Sequence, residues 1–222
     1  MPPDDDLIWR PLGAADLDRV EALHRAVMAG LGPEVVKPET RDFLADMLGP
    51  RGRMVGVFAG EALVAYGVLQ HHVPASDDPR AAIGLPFDVP LMKLAGASVA
   101  LAYRGRGLQR ALIAARVRLA LDGVAGTPPI LFATSAPANS ASWGNLLAEG
   151  FAIRAIKPYY GGHLRYVMVR NTERMEQEGH MLLDASATQE QAALLAAGWR
   201  GVALRDGPSG PSLAFARPAA KP

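Results

Sequence analysis

Two hydrophobic periods alternate along this chain. Between residues 14 and 28, Leu17, Val20, Leu23 and Val27 recur at three- and four-residue steps, the stripe of one helical face, and residues 7–10 before them read as a short strand. Pro38 predicts the start of a second helix, because a first helical position needs no N–H. Phe43, Leu44, Met47 and Leu48 carry the apolar stripe onward to the stop signal Gly49-Pro50. Residues 54–58 and 62–69 are β-prone runs around the turn Ala59-Gly60-Glu61, which predicts an antiparallel hairpin. Residues 71–90 hold four prolines and no sustained period, so they are expected to form a long loop, a lid or a substrate wall.

Small residues dominate 94–102, a strand that runs into Arg104-Gly105-Arg106-Gly107 and a helix over 108–121. Residues 130–133 form the next strand, 139–149 a helix closed by Gly150, and 151–156 and 164–169 two strands around Tyr159, Tyr160, Gly161 and Gly162. A strand at 181–183, a helix at 188–197 stopped by Gly198 and strands at 201–204 and 213–216 follow. The order predicts an α/β chain with a mixed sheet: a main domain over 7–171 and a C-terminal extension over 172–222 packed on it, its Pro/Ala end at 218–222 frayed.

Composition narrows the function. The 222 residues contain no cysteine, which excludes disulfides, thiolate metal sites and a cysteine nucleophile and accords with a cytoplasmic setting. Lys plus Arg number 23 against 22 Asp plus Glu, so the broad positive field of a nonspecific nucleic-acid binder is missing. The first residues carry acids and prolines rather than a secretory pattern, and Arg, Lys, Gly or Pro breaks every apolar run short of the ~20 residues that cross a bilayer. No membrane partner is expected, and a homodimer is a base-rate expectation only.

Chemistry concentrates where the strand ending at 102 meets the helix starting at 108. The first amides of a helix have no intrahelical acceptor, and with the helix dipole they favour an anion. Gly105 and Gly107 let the backbone approach such a ligand, and Arg104, Arg106 and Arg110 add positive charge, a combination suited to a diphosphate. A bare Gly-x-Gly is weak evidence, but this run resembles motif A of the GNAT acetyltransferases, Arg/Gln-x-x-Gly-x-Gly/Ala after a Val-x-Pro-x-Tyr strand. Val99, Tyr103, Arg104 and Gly107 match it; Leu101 replaces the frequent proline, and Gln109 the usual glycine or alanine. A second segment, from Asn139 to Gly150 and Phe151, resembles the family's Asn-x-x-Ala/Ser…Gly-Phe ending and keeps its Asn-to-Gly spacing of eleven.

The resemblance covers residues 7–171 and implies a GNAT acyl-CoA N-acyltransferase fold: a mostly antiparallel sheet, flanked by helices and splayed between strands four and five. It implies acetyl-CoA as co-substrate, with pantetheine paired to the backbone at Val99 and Leu101. The pyrophosphate would sit on the amides of Arg104, Gly105, Arg106, Gly107, Leu108, Gln109 and Arg110, with further contacts from Asn139 and Ser142. Asn139 read alone is a strong helix cap. The implied reaction is direct attack of a primary amine, of a small molecule or peptide, on the thioester. The tyrosine that many relatives use as acid seven residues after the asparagine is replaced by Leu146. Tyr159 and Tyr160 read better as aromatics capping the sheet than as its substitute. His71, His72 and Asp88 on the long loop are candidate bases or acceptor contacts, although lone loop histidines and acids are more often merely solvated, and His71 and His72 have no further ligands nearby in sequence for a metal. No catalytic residue is assigned. A non-catalytic acyl-CoA-binding module is the alternative. A protein that binds another nucleotide is disfavoured, because the Lys-Ser/Thr of a P-loop and a complete Gly-x-Gly-x-x-Gly are both missing.

Overall fold

Buried apolar residues on both sides of one strand organise the N-terminal half. Met54 and Phe58 pack toward one layer of helices, while Val55 and Val57 pack toward another, so the run is continuously apolar instead of alternating. The computed structural model describes residues 7–170, 172–207 and 210–220. The acidic opening (1–6), Asn171 at the expected domain boundary, and the last two residues of the Pro/Ala end lie outside the described residues. In chain order the elements are β1 (Ile8–Leu12), α1 (Leu17–Met28), α2 (Arg41–Leu48), β2 (Gly52–Ala59), β3 (Ala62–Gln70), α3 (Arg80–Ile83), β4 (Leu91–Val99), α4 (Leu108–Leu121), β5 (Ile130–Ser135), α5 (Ser140–Ala148), β6 (Phe151–Tyr159), β7 (His163–Arg170), β8 (Met181–Asp184), α6 (Thr188–Ala196), β9 (Arg200–Gly207) and β10 (Gly210–Ala216). None of the described helices is long and apolar enough to cross a membrane.

Contacts gather the chain into two compact units. The first comprises Met1–Leu31, Pro38–Pro74 and Val89–Leu131; the second Gly32–Lys37, Ala75–Asp88 and Phe132–Pro222. In the first, β1, β2, β3 and β4 pair antiparallel in sequence order, and the expected hairpin is the β2–β3 pair, with Met54 opposite Val68 and Gly56 opposite Tyr66. One face carries α1 and α2 through Val20, Leu23, Leu44 and Met47; the other carries α4 through Leu108 and Leu112. Two of the boundaries that differ from expectation have a visible cause. Helix α2 begins at Arg41 and not at Pro38, because the Thr40 hydroxyl accepts from the Phe43 amide at 3.1 Å and so caps the helix there. Strand β4 stops at Val99 because the chain turns: the Tyr103 amide donates to Ala100 O and the Arg104 amide to Leu101 O.

In the second unit the strand order is β5, β7, β6, β9, β10, β8. Strand β9 pairs with β6 where Ile153 faces Gly201; a methyl group on Gly201 would lie 3.1 Å from the Ile153 side chain, so glycine permits the approach. Trp143 of α5 stands edge-on to Tyr166, and Gln191 of α6 accepts from the Tyr166 hydroxyl at 2.8 Å while donating to Asp184 O at 2.7 Å. Residues 71–90 are less irregular than expected, since a 3-10 turn at Ala75–Asp77 and the four-residue α3 lie within them. Arg80 holds this stretch together by pairing with Asp78 at 2.7 Å, donating to Phe87 O at 2.8 Å and stacking on the Phe87 ring. At the C-terminal end, Pro218 bridges to Met175.

Two charged groups tie helices to the first sheet. Asp16, at the entry to α1, accepts from both terminal nitrogens of Arg10 at 2.7 and 2.9 Å and from the Gly13 amide at 3.1 Å. These bonds, led by Arg10, draw its carboxyl from an ordinary 3.8 to about 2. Arg116 of α4 is 2% exposed and faces β3 and β4, where the register shifts between Gly67 and Leu69. Its guanidinium donates to Val68 O at 3.3 Å, to Ala95 O at 3.2 Å and to Leu112 O in its own helix at 3.0 Å. Burial lowers its pKa to about 10, so it stays cationic at neutral pH. Gly67 makes the room: a Cβ there would stand 2.9 Å from Arg116 Nε.

Both ties are measurable in solution. A carboxyl with a depressed folded pKa stabilises the fold in full above its unfolded value and loses that contribution as pH falls through the folded one. Asp16→Asn is therefore expected to lower the urea midpoint at pH 7, and the gap to the wild type should narrow from pH 3.8 down to about 2. A constant gap would contradict the ion pair. Arg116→Ala strands the Val68 and Ala95 carbonyls and leaves a void, so it should cost about 3 kcal/mol in equilibrium denaturation.

Candidate functional site

Strand β4 enters the site with a defect in its pairing. Gly67 faces Ala97 but Leu69 faces Leu94, so Val68 stands against two residues, Ala95 and Gly96, a β-bulge. Beyond it the ladder resumes through Ser98 opposite Tyr66 and Val99 opposite Ala65, and the Ala100 amide bonds Val64 O at 2.8 Å. The chain then makes one 3-10 turn, Leu101–Tyr103, with Leu101 78% exposed, and straightens at Arg104. Leu101 thus presents its backbone from a turn and not from the strand expected to reach Ala102.

Gly105 and Gly107 both have positive φ, 76° and 74°, and Gly107 is the residue from which α4 springs. Any other side chain there would be strained, Asn and Asp least. No side chain caps this helix; its first ladder bond runs from the Ala111 amide to Gly107 O, so the Leu108 and Gln109 amides precede the ladder. A Cβ built on Gly105 or Gly107 meets nothing within 4 Å, so the loop borders open space. Arg104 Nε donates to Val99 O at 3.4 Å, and Arg106 lies 4.8 Å above the Tyr103 ring. Val99, Arg104, Gly105, Arg106, Gly107, Leu108, Gln109 and Arg110 are therefore gathered at one strand-to-helix junction. Its open amides and guanidinium groups suit a diphosphate in size and charge.

Most of the remaining candidates belong to the second unit; His71 and His72 belong to the first. Asn139 Oδ1 accepts from the Ser142 amide at 3.1 Å, which joins those two residues as a helix cap and gives Asn139 the role its residue type alone predicts. Leu146 is buried in α5. Tyr160 has positive φ, its hydroxyl lies 3.1 Å from Thr134 Oγ1, and Lys37 stands 4.8 Å from its ring centre. Tyr159 is buried against Tyr160, in keeping with its reading as a structural aromatic. Of the loop candidates, His71 continues the β2–β3 ladder through its amide to Arg51 O at 2.9 Å. Burial, then the charge of Arg53, lowers its pKa, so its ring is predominantly neutral near pH 7.

One group of residues escaped the sequence reading. On the α1 side of the bulge, the Glu39 amide donates to His24 Nε2 at 2.9 Å, His24 Nδ1 lies 2.8 Å from the Tyr66 hydroxyl, and that hydroxyl lies 3.3 Å from Ser98 Oγ. Because Nε2 accepts, the neutral ring carries its proton on Nδ1. Burial lowers the His24 pKa; burial, reinforced by the Glu39 charge, raises that of Tyr66. The single trace in the sequence is His24 within the apolar stripe of α1.

No protein-family model matches the sequence, and no curated protein matches it. Solved structures do. An N-acetyltransferase from Staphylococcus aureus Mu50 superposes with a TM-score of 0.57 at 13% identity, over 74% of this chain and 97% of that one. Arabidopsis thaliana NAA60 in complex with acetyl-CoA gives 0.58 at 17% identity, over 73% and 98%. A GNAT superfamily phosphinothricin acetyltransferase from Sinorhizobium meliloti, also in complex with acetyl-CoA, gives 0.54 at 19% identity, over 74% and 87%. At such identities the likeness speaks for architecture, and the architecture of this chain is the GNAT acetyltransferase fold.

Proposed function

We propose that this protein is an acetyl-CoA-dependent N-acetyltransferase that acetylates a primary amine of a small molecule or peptide by direct attack. The observation that carries the reading is the junction after β4, where two left-handed glycines and three arginines surround a helix start with no side-chain cap. A ligand bearing a diphosphate meets amides from Gly105 to Arg110 and the positive end of α4 there, while Arg104, whose amide is given to Leu101 O, contributes its charge. Val99 supplies strand backbone for the pantetheine arm, and Leu101 supplies it from the following turn. Asn139 and Ser142, which the resemblance also assigns to the cofactor, are joined to each other as a helix cap, with Asn139 Oδ1 accepting from the Ser142 amide. When bound, acetyl-CoA provides the activated acyl group. The chain holds the acceptor in register and moves its proton, and positioning alone can supply a large part of such a rate.

Two departures from the family pattern shape the expectation. Gln109 places an amide side chain beside the phosphates, and it has hydrogens to donate to them. Leu146 is buried where many relatives carry an acidic tyrosine, so a tyrosine at this position is not the proton donor to the leaving sulfur. The same leucine favours a second reading, a non-catalytic module that binds acyl-CoA.

Release of free CoA thiol from acetyl-CoA, followed across a panel of primary amines, separates the two. Turnover above the blank on any amine is expected and would eliminate the inert module. Calorimetry should give binding of acetyl-CoA in preference to ATP or NAD. Gly107→Glu puts bulk and negative charge at the helix start and is expected to abolish acetyl-CoA binding. Gly107→Asn tolerates the same backbone conformation and should retain most of it. Equal affinity in wild type and Gly107→Glu would show that the diphosphate binds elsewhere.

A further inference from the structure

The β-bulge in β4 has a polar cluster on the face opposite Arg116, and no residue at the junction after β4 accounts for it. Gly96 is one of the two residues that stand against Val68. A Cβ built on Gly96 would lie 3.4 Å from Glu39 Cγ and 3.8 Å from Glu39 Oε1, so the carboxylate rests directly on bare β4 backbone. Its Oε2 is shielded from solvent, and the residue as a whole is half-buried. The chain is held in this place from behind: the Glu39 amide is fixed on His24 Nε2, His24 on Tyr66, and Tyr66 on Ser98 of β4 itself. Gly96 lies only three residues before Val99 on the same strand. A half-buried carboxylate at a break in the strand is placed to attract a cation and take its proton, because its charge is less screened there than in open water.

From this geometry we infer that Glu39 is a catalytic residue: its carboxylate binds the acceptor's ammonium group at Gly96 and acts as the general base, with His24, Tyr66 and Ser98 as positioning residues. The inference rests on the acetyltransferase reading and deepens it, since it makes the acceptor cationic at the reacting nitrogen. The balance is simple. The ammonium gives one proton to Glu39, the nitrogen lone pair forms the new C–N bond and the C–S bond breaks. The second proton lost from nitrogen passes to the departing sulfur, and Glu39 returns its own to water.

Glu39→Gln keeps the size of the side chain and the backbone bond to His24 while removing the base. Relative to wild type, kcat/KM on the best amine of the panel is expected to fall about 100-fold or more, with acetyl-CoA affinity by calorimetry unchanged. A second readout needs no turnover. In protein labelled with 13C at glutamate carboxyls, the signal missing from Glu39→Gln identifies Glu39, and it should shift on addition of butylammonium chloride but not of sodium chloride at equal ionic strength. Turnover of Glu39→Gln within threefold of wild type would overturn the catalytic role and leave the acetyltransferase reading standing. If wild-type protein neither binds acetyl-CoA nor turns over, that reading falls, and the carboxyl signal then decides the amine site separately: unmoved, it overturns the site; moved, it retains it.

Discussion

Arg116 brings a positive charge into the interior of the first unit, and the position of α4 depends on how that charge is met. Moving a guanidinium out of water is unfavourable by several kcal/mol unless its N–H groups find acceptors. The acceptors are the Val68 and Ala95 carbonyls, which the bulge between β3 and β4 makes available, together with Leu112 O. Helix, bulge and guanidinium are mutually dependent. Without the bulge the two carbonyls would be spent in the ladder, and without glycine at 67 the arginine would have no room.

Anchoring α4 also fixes the loop that precedes it. With α4 anchored to β3 and β4 at its middle, its first turn and the end of β4 are both held, and residues 100–107 must connect two fixed points. A 3-10 turn and two left-handed glycines are what that short connection requires. The amides of Leu108 and Gln109 therefore stand ready for an anion without a change in backbone, the preorganisation that makes electrostatic recognition effective.

The same bulge serves the opposite face. There the sheet presents Tyr66, Ser98 and the bare backbone of Gly96, and the segment leading into α2 lays Glu39 across it. Thr40 has a part in this, because by capping α2 one residue after Glu39 it sets where the extended segment ends and the helix begins. One irregularity in pairing thus gives one side of the sheet an anchored helix and the other a shielded carboxylate.

What the sequence determined by itself was local. The stripe of Leu17, Val20 and Leu23, the runs on either side of Gly60, Gly107 before the helix of residues 108–121 and Asn139 as a cap all act through neighbours within a turn or a strand. Each was legible because helix period, turn chemistry and capping are properties of short segments. What the tertiary structure decided involves distant partners. Arg116 and Val68 are 48 residues apart, His24 and Tyr66 are 42, and the sequence around each of these four residues looks the same whether or not its partner arrives. An arginine within a helix reads as solvent-facing, and a glutamate directly after Pro38 reads as part of a first helical turn. Only the packing of α4 and of the α1–α2 connection against a bulged strand buries the first and shields the second, because the burial of a charge is set by the groups that surround it in space and not by those beside it in the chain.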